Sequence, residues 1–330
     1  MSTPLNVITG FLGSGKTTLL KRLLTDQALG ETVVLINEFG EIGLDHLLVE
    51  DIAPDVVLLP NGCVCCSVRG DLKAALLSLH TRRQQGQLPA FRRVLLETTG
   101  LADPAPILAT LARDPNLRGQ FHLGLMITVV DAMHADLQER LHPEWLAQVA
   151  AADRLLISKD DLVDVQALQQ LQQRLSQLNA GALQRLARTV GGGDELLWGQ
   201  GLGGAAIEQE VARWQLFKPV DAQLHGQAQV CCLTFDTPLD WTAFGVWLSM
   251  LLRCHGERIL RVKGILEVIN SHQPIVIHGV QHCLHAPLHL GAWPAGPRSS
   301  RLVFIVRGLD IGLLRRSFTA FVGLPTVGAA

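Results

Sequence analysis

Residues 10–17 read Gly-Phe-Leu-Gly-Ser-Gly-Lys-Thr, which fits the phosphate-binding pattern G-x-x-x-x-G-K-[ST]. An apolar run at residues 6–9 predicts a strand before this segment, and residues 16–24 have the spacing of a helix. A strand, a glycine-rich loop and a helix in this order form the loop that binds nucleotide phosphates (P-loop). The sequence therefore predicts a nucleotide site formed by Gly10, Gly13, Ser14, Gly15, Lys16, Thr17 and Thr18.

Each part of this loop has a physical role in phosphate binding. Glycine lets the backbone fold so that successive N–H groups point at phosphate oxygens, and the N-terminus of the helix adds a partial positive charge. Lys16 would bridge the outer phosphates as a catalytic residue, and the Thr17 hydroxyl would bind Mg²⁺. Mg²⁺ is therefore expected together with the nucleotide.

A second motif predicts which base the nucleotide carries. Residues 158–161 read Ser-Lys-Asp-Asp at the end of an apolar run and fit the pattern [NTS]-K-x-D. The Asp161 carboxylate can accept hydrogen bonds from N1–H and the exocyclic amine of guanine, whereas the N1 acceptor of adenine would repel it. We therefore expect GTP, with Ser158, Lys159 and Asp161 in the base-binding loop. A P-loop kinase or ATPase that prefers ATP is the alternative.

An acidic residue ends the apolar run at residues 93–96. Glu97 is followed by Thr98, Thr99 and Gly100, and it stands where aspartate is more usual. Glu97 would hold Mg²⁺ through water or orient the attacking water, and the Gly100 N–H would respond to the γ-phosphate. These two residues join Lys16 as the candidate catalytic residues.

Three cysteines within four residues, Cys63, Cys65 and Cys66, predict a metal site. Three thiolates can converge on Zn²⁺ or Cu(I), and around Zn²⁺ they leave one tetrahedral position for a further ligand. The spacing does not identify that ligand. Glu41, which follows the strand predicted at residues 32–36, a water molecule and a side chain of a partner protein all remain open.

The composition is that of a compactly folded protein. The chain has 330 residues, of which 48% are hydrophobic and 18% charged, and its net charge of −2 lacks the basic character of a nucleic-acid binder. The uncharged run at residues 268–297 contains proline and histidine, which would leave polar groups unpaired in a bilayer. Seven cysteines, an odd number, fit reduced thiols or metal ligands. We expect a cytoplasmic protein without nucleic-acid or membrane partners.

The order of apolar and helical segments predicts an α/β fold in the first two thirds of the chain. Short apolar runs that predict parallel strands lie at residues 6–9, 32–36, 56–59, 93–96, 125–130 and 155–158. Helical spacing appears between them at residues 16–24 and 71–82, and in a glutamine-rich segment with Leu168, Leu171, Leu175 and Leu178. A parallel sheet covered by helices on both faces is the expected architecture.

The pattern changes after Lys218-Pro219. Strand-like runs at residues 230–235, 259–269 and 302–306 surround a helix whose N-cap is expected to be Asp240. We therefore divide the chain into a P-loop domain, a linker and a smaller C-terminal α+β domain, at residues 1–215, 216–228 and 229–325 respectively.

Other thiols and imidazoles give weaker signals for a metal. Cys231 and Cys232 alternate inside a strand-like run, so they are assigned to packing. A later segment has more metal-binding side chains than this run: His278, His282, Cys283, His285 and His289. On one continuous strand the first two of these histidines would face away from the last two, and a secondary metal or partner site stays open.

Five motifs in this order resemble those of the CobW-like P-loop GTPases, and within them the branch of YjiA and the zinc chaperones. They lie at residues 10–17, 37–41 (Asn-Glu-Phe-Gly-Glu), 62–66 (Gly-Cys-Val-Cys-Cys), 97–104 (Glu-Thr-Thr-Gly-Leu-Ala-Asp-Pro) and 158–161. The resemblance covers nearly the whole chain. Residues 238–306 also resemble the C-terminal domain of that family.

The resemblance implies a SIMIBI-type P-loop NTPase fold. It also implies a GTPase that hydrolyses GTP to GDP and phosphate, binds Zn²⁺ at the C-x-C-C motif and transfers it to a client apoprotein. HypB and UreG, which insert nickel, and CobW of cobalamin synthesis would be its relatives. Two features depart from the pattern: Ser158 replaces asparagine, which would weaken a hydrogen bond supporting the base loop, and a dense histidine tract for metal storage is missing.

We expect the nucleotide and metal sites of such a chaperone to be coupled. Cys63, Cys65 and Cys66 would join the segment near Glu41 to the helix that begins near Asp71, so hydrolysis would change metal affinity about 5- to 150-fold. Without an identifiable arginine finger, basal turnover should be slow until a client or a second copy in a homodimer accelerates it. A metal-responsive GTP-binding switch without transfer and a cobalt- or nickel-inserting GTPase are the alternatives.

Overall fold

The computed structural model describes residues 2–24, 31–36, 68–191, 211, 228–293 and 298–323. These residues form two compact units, one within Met1–Gln172 and Ala182–Gly201 and the other within Gln173–Gly181 and Leu202–Ala330. Residues 216–227 of the predicted linker lie outside the described residues, so the domain boundaries stay a prediction. None of the described helices is long and apolar enough to cross a membrane.

The described chain up to residue 191 is built on a parallel sheet with helices between its strands. In chain order the elements are β1 (Thr3–Thr9), α1 (Lys16–Leu24), β2 (Thr32–Ile36), α2 (Val68–Gln84), β3 (Arg93–Glu97), α3 (Ala105–Arg113), α4 (Pro115–Arg118), β4 (Phe121–Asp131), α5 (Ala135–Leu141), α6 (Pro143–Ala151), β5 (Arg154–Ser158), α7 (Val165–Leu178) and β6 (Leu183–Leu186). The described strands pair in parallel in the order β2-β3-β1-β4-β5-β6. This confirms the predicted α/β class.

Burial on both faces explains why most strands of this sheet do not alternate apolar with polar residues. Every residue of β2 is buried, and in β1 all but Pro4 are. A parallel sheet with helices on both sides has no wet face, so Val, Ile and Leu need not alternate with polar residues. The short edge strand β6 is only partly buried, and its Leu-Gln-Arg-Leu sequence gave no apolar signal. The strand predicted at residues 56–59 lies outside the described residues.

The described residues of the second unit form an antiparallel sheet and two longer helices. Its named elements are β7 (Ala228–Phe235), α8 (Trp241–His255), β8 (Ile259–Leu266), β9 (Ile275–Val280), β10 (Cys283–Leu284), β11 (Leu288–His289), β12 (Ser300–Arg307) and α9 (Ile311–Val322). The sheet order is β10-β9-β8-β12-β7, and β11 pairs with β9. The predicted N-cap is confirmed, since the Asp240 side chain accepts a 2.7 Å hydrogen bond from the Ala243 N–H.

Two features of this unit differ from the simplest interpretation of its sequence. The strand predicted at residues 259–269 ends at Leu266, before a turn in which Asn270 has a left-handed φ of 63°. The histidine-rich segment is not one strand, because β9 turns at Gln281 and returns as β10. The return brings the backbones of two histidines together, with the His285 N–H donating to the His278 carbonyl oxygen at 2.9 Å. Even so, among the described residues no three His, Cys, Asp or Glu side chains are grouped to hold a metal ion.

Candidate functional site

Four strand ends lie side by side at one edge of the parallel sheet. β3, β1, β4 and β5 are consecutive neighbours, with Ile8 of β1 opposite Glu97 of β3 and Asp131 of β4 opposite Ser158 of β5. Because parallel strands all end at the same edge, the loops that follow them converge there. The topology therefore brings together three of the motifs identified in the sequence.

The phosphate loop packs directly against β4. Gly10 has a φ of 143°, and a Cβ at this position would lie 2.3 Å from the Val129 carbonyl oxygen, so only glycine fits. Gly13 and Gly15 also have positive φ values. The loop closes with a hydrogen bond from the Ser14 N–H to the Phe11 carbonyl, and α1 begins directly after it. Its backbone N–H groups precede a helix N-terminus, the arrangement that binds phosphate.

Lys16 is the buried cation of this loop, with 8% of its surface exposed. Its Nζ donates hydrogen bonds to the carbonyl oxygens of Gly10, at 2.9 Å, and Phe11, at 3.1 Å. These bonds hold the ammonium group against the loop that it would serve. Thr18, in the first turn of α1, is exposed at the same place.

The predicted magnesium-binding side chains are in contact. Thr17 Oγ1 donates a 2.8 Å hydrogen bond to Glu97 Oε1, and the Glu97 side chain is buried. Next to this pair, Thr98 Oγ1 donates to Thr9 Oγ1 at 2.8 Å, which extends the contact of β3 with β1 beyond the sheet. A hydroxyl and a carboxylate at one point supply the hard oxygen ligands that Mg²⁺ requires, so these residues fit that ion.

The turn after Glu97 abuts the phosphate loop. A Cβ on Gly100 would lie 2.5 Å from the backbone nitrogen of Leu12, closer than real Cβ contacts allow. The fully buried Gln148 of α6 holds this turn, because its Nε2 donates to the carbonyl oxygens of Gly100 and Ala102 at 3.0 Å each. Gln148 was not predicted from the sequence, since a glutamine within an amphipathic helix belongs to no motif.

The base-binding loop is bonded to the phosphate loop. Ser158 Oγ donates to the Ser14 carbonyl oxygen at 2.7 Å, and the Val130 carbonyl oxygen lies 3.2 Å away. Ser158, which stands where the family pattern has asparagine, thus makes a short hydrogen bond that supports this loop. This hydrogen bond connects the loop that would bind the base to the loop that would bind the phosphates.

The other residues of this loop alternate between inward contacts and exposure. Lys159 has a left-handed φ of 56°, and its Nζ lies 2.6 Å from Asp131 Oδ2. Asp160 is buried and accepts a 2.7 Å hydrogen bond from Arg188 Nε, a bond that raises the pKa of Arg188 above its ordinary value. Asp161 is exposed. Asp161, the carboxylate predicted to bind guanine, is therefore accessible, whereas Lys159 and Asp160 are held by contacts with the protein.

The predicted metal ligands Cys63, Cys65, Cys66 and Glu41 lie outside the described residues. The zinc site therefore stays a prediction. The structure does bring together the predicted nucleotide residues, and it adds three partners that sequence motifs did not reveal: Asp131, Gln148 and Arg188. Of these, only Asp131 had a signal, as a carboxylate directly after the apolar run at residues 125–130.

Comparison with known proteins identifies the family. Residues 4–184 match the family model described as CobW/HypB/UreG, nucleotide-binding domain. The chain belongs to the CobW/HypB/UreG family. Residues 228–322 match the model of the cobalamin synthesis protein CobW C-terminal domain. Both matches follow the order predicted for a CobW-like chain, so the resemblance inferred from the five motifs is confirmed.

Relatives within the CobW/HypB/UreG family match over different lengths. The zinc chaperone YjiA of Escherichia coli K12 is 33% identical over 315 residues, which cover 94% of this chain and 96% of the relative. The zinc-regulated GTPase metalloprotein activator 1 of Schizosaccharomyces pombe is 34% identical over 184 residues, covering 53% of this chain and 43% of the relative. The crystal structure of Zn(II)-bound YjiA GTPase from E. coli matches with a TM-score of 0.70 and 25% identity, covering 97% of this chain and 99% of that one.

Proposed function

We propose that this chain is a GTP-hydrolysing zinc metallochaperone that binds Zn²⁺ at Cys63, Cys65 and Cys66 and transfers it to a client apoprotein. The observation that carries the nucleotide half is the bond from Ser158 to the carbonyl of Ser14, which joins the base loop to the phosphate loop. GTP hydrolysis and zinc handling agree with the names of the relatives, a zinc chaperone and a zinc-regulated GTPase. Glu41 remains the candidate fourth ligand.

The hydrolytic roles follow from the positions of the side chains. The Lys16 ammonium would exchange its bonds to two loop carbonyls for bonds to the outer phosphate oxygens. Thr17 and Glu97 would hold Mg²⁺, directly or through water, and the ion when bound neutralises charge on the phosphates. Glu97 would also orient the attacking water. The start of α1 places Lys16 and Thr17, and the end of β3 places Glu97.

The Gly100 turn is suited to sensing the γ-phosphate. It touches the phosphate loop at Leu12 and is held from behind by Gln148. A phosphate oxygen that binds the Gly100 N–H would pull on a turn whose other contacts are fixed. The loss of that oxygen on hydrolysis would release the turn, and this release is the proposed signal to the cysteine segment.

Replacing Asp161 with asparagine should move the base preference from guanine to xanthine. The amide oxygen can still accept from N1–H, but the NH₂ group would oppose the exocyclic amine of guanine, whereas it can donate to the C2 carbonyl of xanthine. We expect GDP affinity to fall about 100-fold and xanthosine diphosphate to become the tighter ligand. Titration with labelled diphosphates measures both affinities.

Asp164→Asn is the matched control for the base preference. Asp164 lies three residues further on and accepts from the Ala167 N–H, a role that asparagine can keep. GDP affinity should therefore stay unchanged in this variant. A wild-type protein that binds ADP as tightly as GDP would contradict the assignment of the nucleotide.

Zinc affinity should depend on both the cysteines and the nucleotide. We expect Cys65→Ser to weaken Zn²⁺ binding strongly, because a hydroxyl replaces one of three thiolates. In the wild type, the affinities with a GTP analogue and with GDP should differ about 5- to 150-fold. Competition with a zinc chelator, repeated with each nucleotide and without nucleotide, measures all of these values.

Cys254→Ser provides the control for the zinc experiment, because Cys254 is an exposed cysteine of the second unit outside the C-x-C-C motif. It should leave zinc affinity unchanged. Equal zinc affinities in all nucleotide states would remove the coupling, and an unchanged affinity in Cys65→Ser would remove the site. Zinc binding with coupling but without activation of an apoenzyme in a reconstituted assay would identify a switch in place of a chaperone. The same competition with Co²⁺ and Ni²⁺ tests the choice of metal.

A further inference from the structure

We propose that Asp131 is a positioning residue for guanine recognition, which acts by holding Lys159 and with it the base loop at residues 158–161. The inference rests on the proposed function, because it takes the base to be guanine. Asp131 belongs to none of the five sequence motifs, and it is the residue at which β4 ends.

Asp131 lies between two neighbouring strands, at the edge of the sheet where the phosphate loop and the base loop converge. It lies directly opposite Ser158 in the parallel register of β4 and β5, and only 1% of its surface is exposed. Its Oδ2 accepts hydrogen bonds from Lys159 Nζ, at 2.6 Å, and from His134 Nδ1, at 2.9 Å. Its Oδ1 accepts from the Met133 N–H at 2.9 Å. Both carboxylate oxygens therefore accept hydrogen bonds, and the contact with a charged group is the one to Lys159 of the base loop.

The charge on this carboxylate is maintained by its partners. Burial alone raises the pKa of Asp131, but the hydrogen bonds from Lys159 and His134 outweigh burial and hold the pKa below its ordinary value. An ionised carboxylate only accepts hydrogen bonds, so Lys159 would donate in its contact with Asp131. A buried negative charge at 2.6 Å gives the Lys159 ammonium a fixed place.

Holding Lys159 matters because its backbone is unusual. A left-handed φ of 56° is unfavourable for a residue with a Cβ, and it persists only where surrounding contacts enforce it. This turn directs Asp160 inward to Arg188 and leaves Asp161 exposed. If the ammonium lost Asp131, the turn could relax, and the carboxylate that reads the base would lose its fixed place.

A double-mutant cycle tests the inference. GDP affinity is measured for the wild type, Asp131→Asn, Lys159→Met and the double variant. We expect Asp131→Asn to weaken GDP binding about 10-fold, because the hydrogen bond from Lys159 loses its charged acceptor. The double variant should bind GDP no more weakly than Lys159→Met alone, because Asp131 acts through Lys159. Pyrophosphate, which lacks a base, should bind Asp131→Asn as it binds the wild type.

Asp153→Asn is the matched control, because it makes the same substitution away from the base loop. Asp153 lies just before the amino end of β5, where it accepts a hydrogen bond from the Met126 N–H. GDP affinity should not change there. Additive losses in the cycle, an unchanged GDP affinity in Asp131→Asn or an equal loss of pyrophosphate binding would overturn the inference. If Asp131→Asn does not fold, Lys159→Arg serves instead, because arginine can still bond to Asp131 and should retain more GDP affinity than Lys159→Met; equal losses would overturn the inference. A wild type that prefers ADP would show that the proposed function fails first.

Discussion

Lys16→Ala should lower the rate of GTP hydrolysis about 100- to 1,000-fold, the effect expected when one preorganised donor to a developing negative charge is removed. Lys16 is the buried ammonium group of the phosphate loop, held by the carbonyls of Gly10 and Phe11. Alanine supplies neither the charge nor the donors. Phosphate release at saturating GTP measures kcat, and nucleotide titration measures the accompanying loss of affinity.

Helix α1, which begins at Lys16, also contains a matched control for this substitution. Lys21 belongs to the same helix α1 but lies more than one turn beyond the phosphate loop. Lys21→Ala removes the same charge and should leave hydrolysis within about 2-fold of the wild type, because surface substitutions away from a site have small effects. A Lys16→Ala protein with normal turnover would show that the phosphates bind elsewhere.

Gly100→Ala should lower GTP hydrolysis about 100-fold while leaving the protein folded. The added methyl carbon would lie 2.5 Å from the Leu12 nitrogen and 2.7 Å from its Cα, so the turn or the phosphate loop must move. A displacement of about 1 Å at reacting groups can cost a factor of 100 in rate. We expect kcat to fall more than GDP affinity, because the turn is assigned to the γ-phosphate, which GDP lacks.

Gly119→Ala controls for the intrinsic effect of replacing glycine by alanine. Nothing lies within 4 Å of a Cβ at Gly119, and its φ of −80° is open to any residue. Turnover and thermal stability should match the wild type. If Gly100→Ala hydrolysed GTP at the normal rate, the contact with Leu12 would have no part in catalysis and the sensing role would be wrong.

The architecture was largely predictable because its main signal is local. Buried parallel strands such as β2 and β3 are continuous apolar runs, and α7 carries leucines at helical spacing of which Leu171, Leu175 and Leu178 are buried. The elements that were missed have weak or interrupted patterns. β6 is short and half polar, and the strand pair β9–β10 depends on a turn at Gln281, a residue that rarely adopts positive φ.

The candidate site was predictable where its functional groups belong to consecutive residues of one motif. The phosphate loop and the base loop each form one segment, so their roles could be assigned without knowledge of the fold. Gln148 and Arg188 act across the tertiary structure, on Gly100 and Asp160, and nothing in their neighbourhood in the sequence indicates these partners. Asp131 is intermediate, because its place after an apolar run repeats the signal that identified Glu97.

The direct pairing of β1 with β3 and β4, and of β4 with β5, has a consequence for sequence divergence. Adjacent strands lie about 4.8 Å apart whatever side chains they carry, because backbone hydrogen bonds set that spacing. The separation between the phosphate loop, Glu97 and the base loop is thus inherited from the main chain. Two proteins that share only a third of their residues can keep the same pocket dimensions, and changes of ligand preference are expected to arise in the loops at the strand ends.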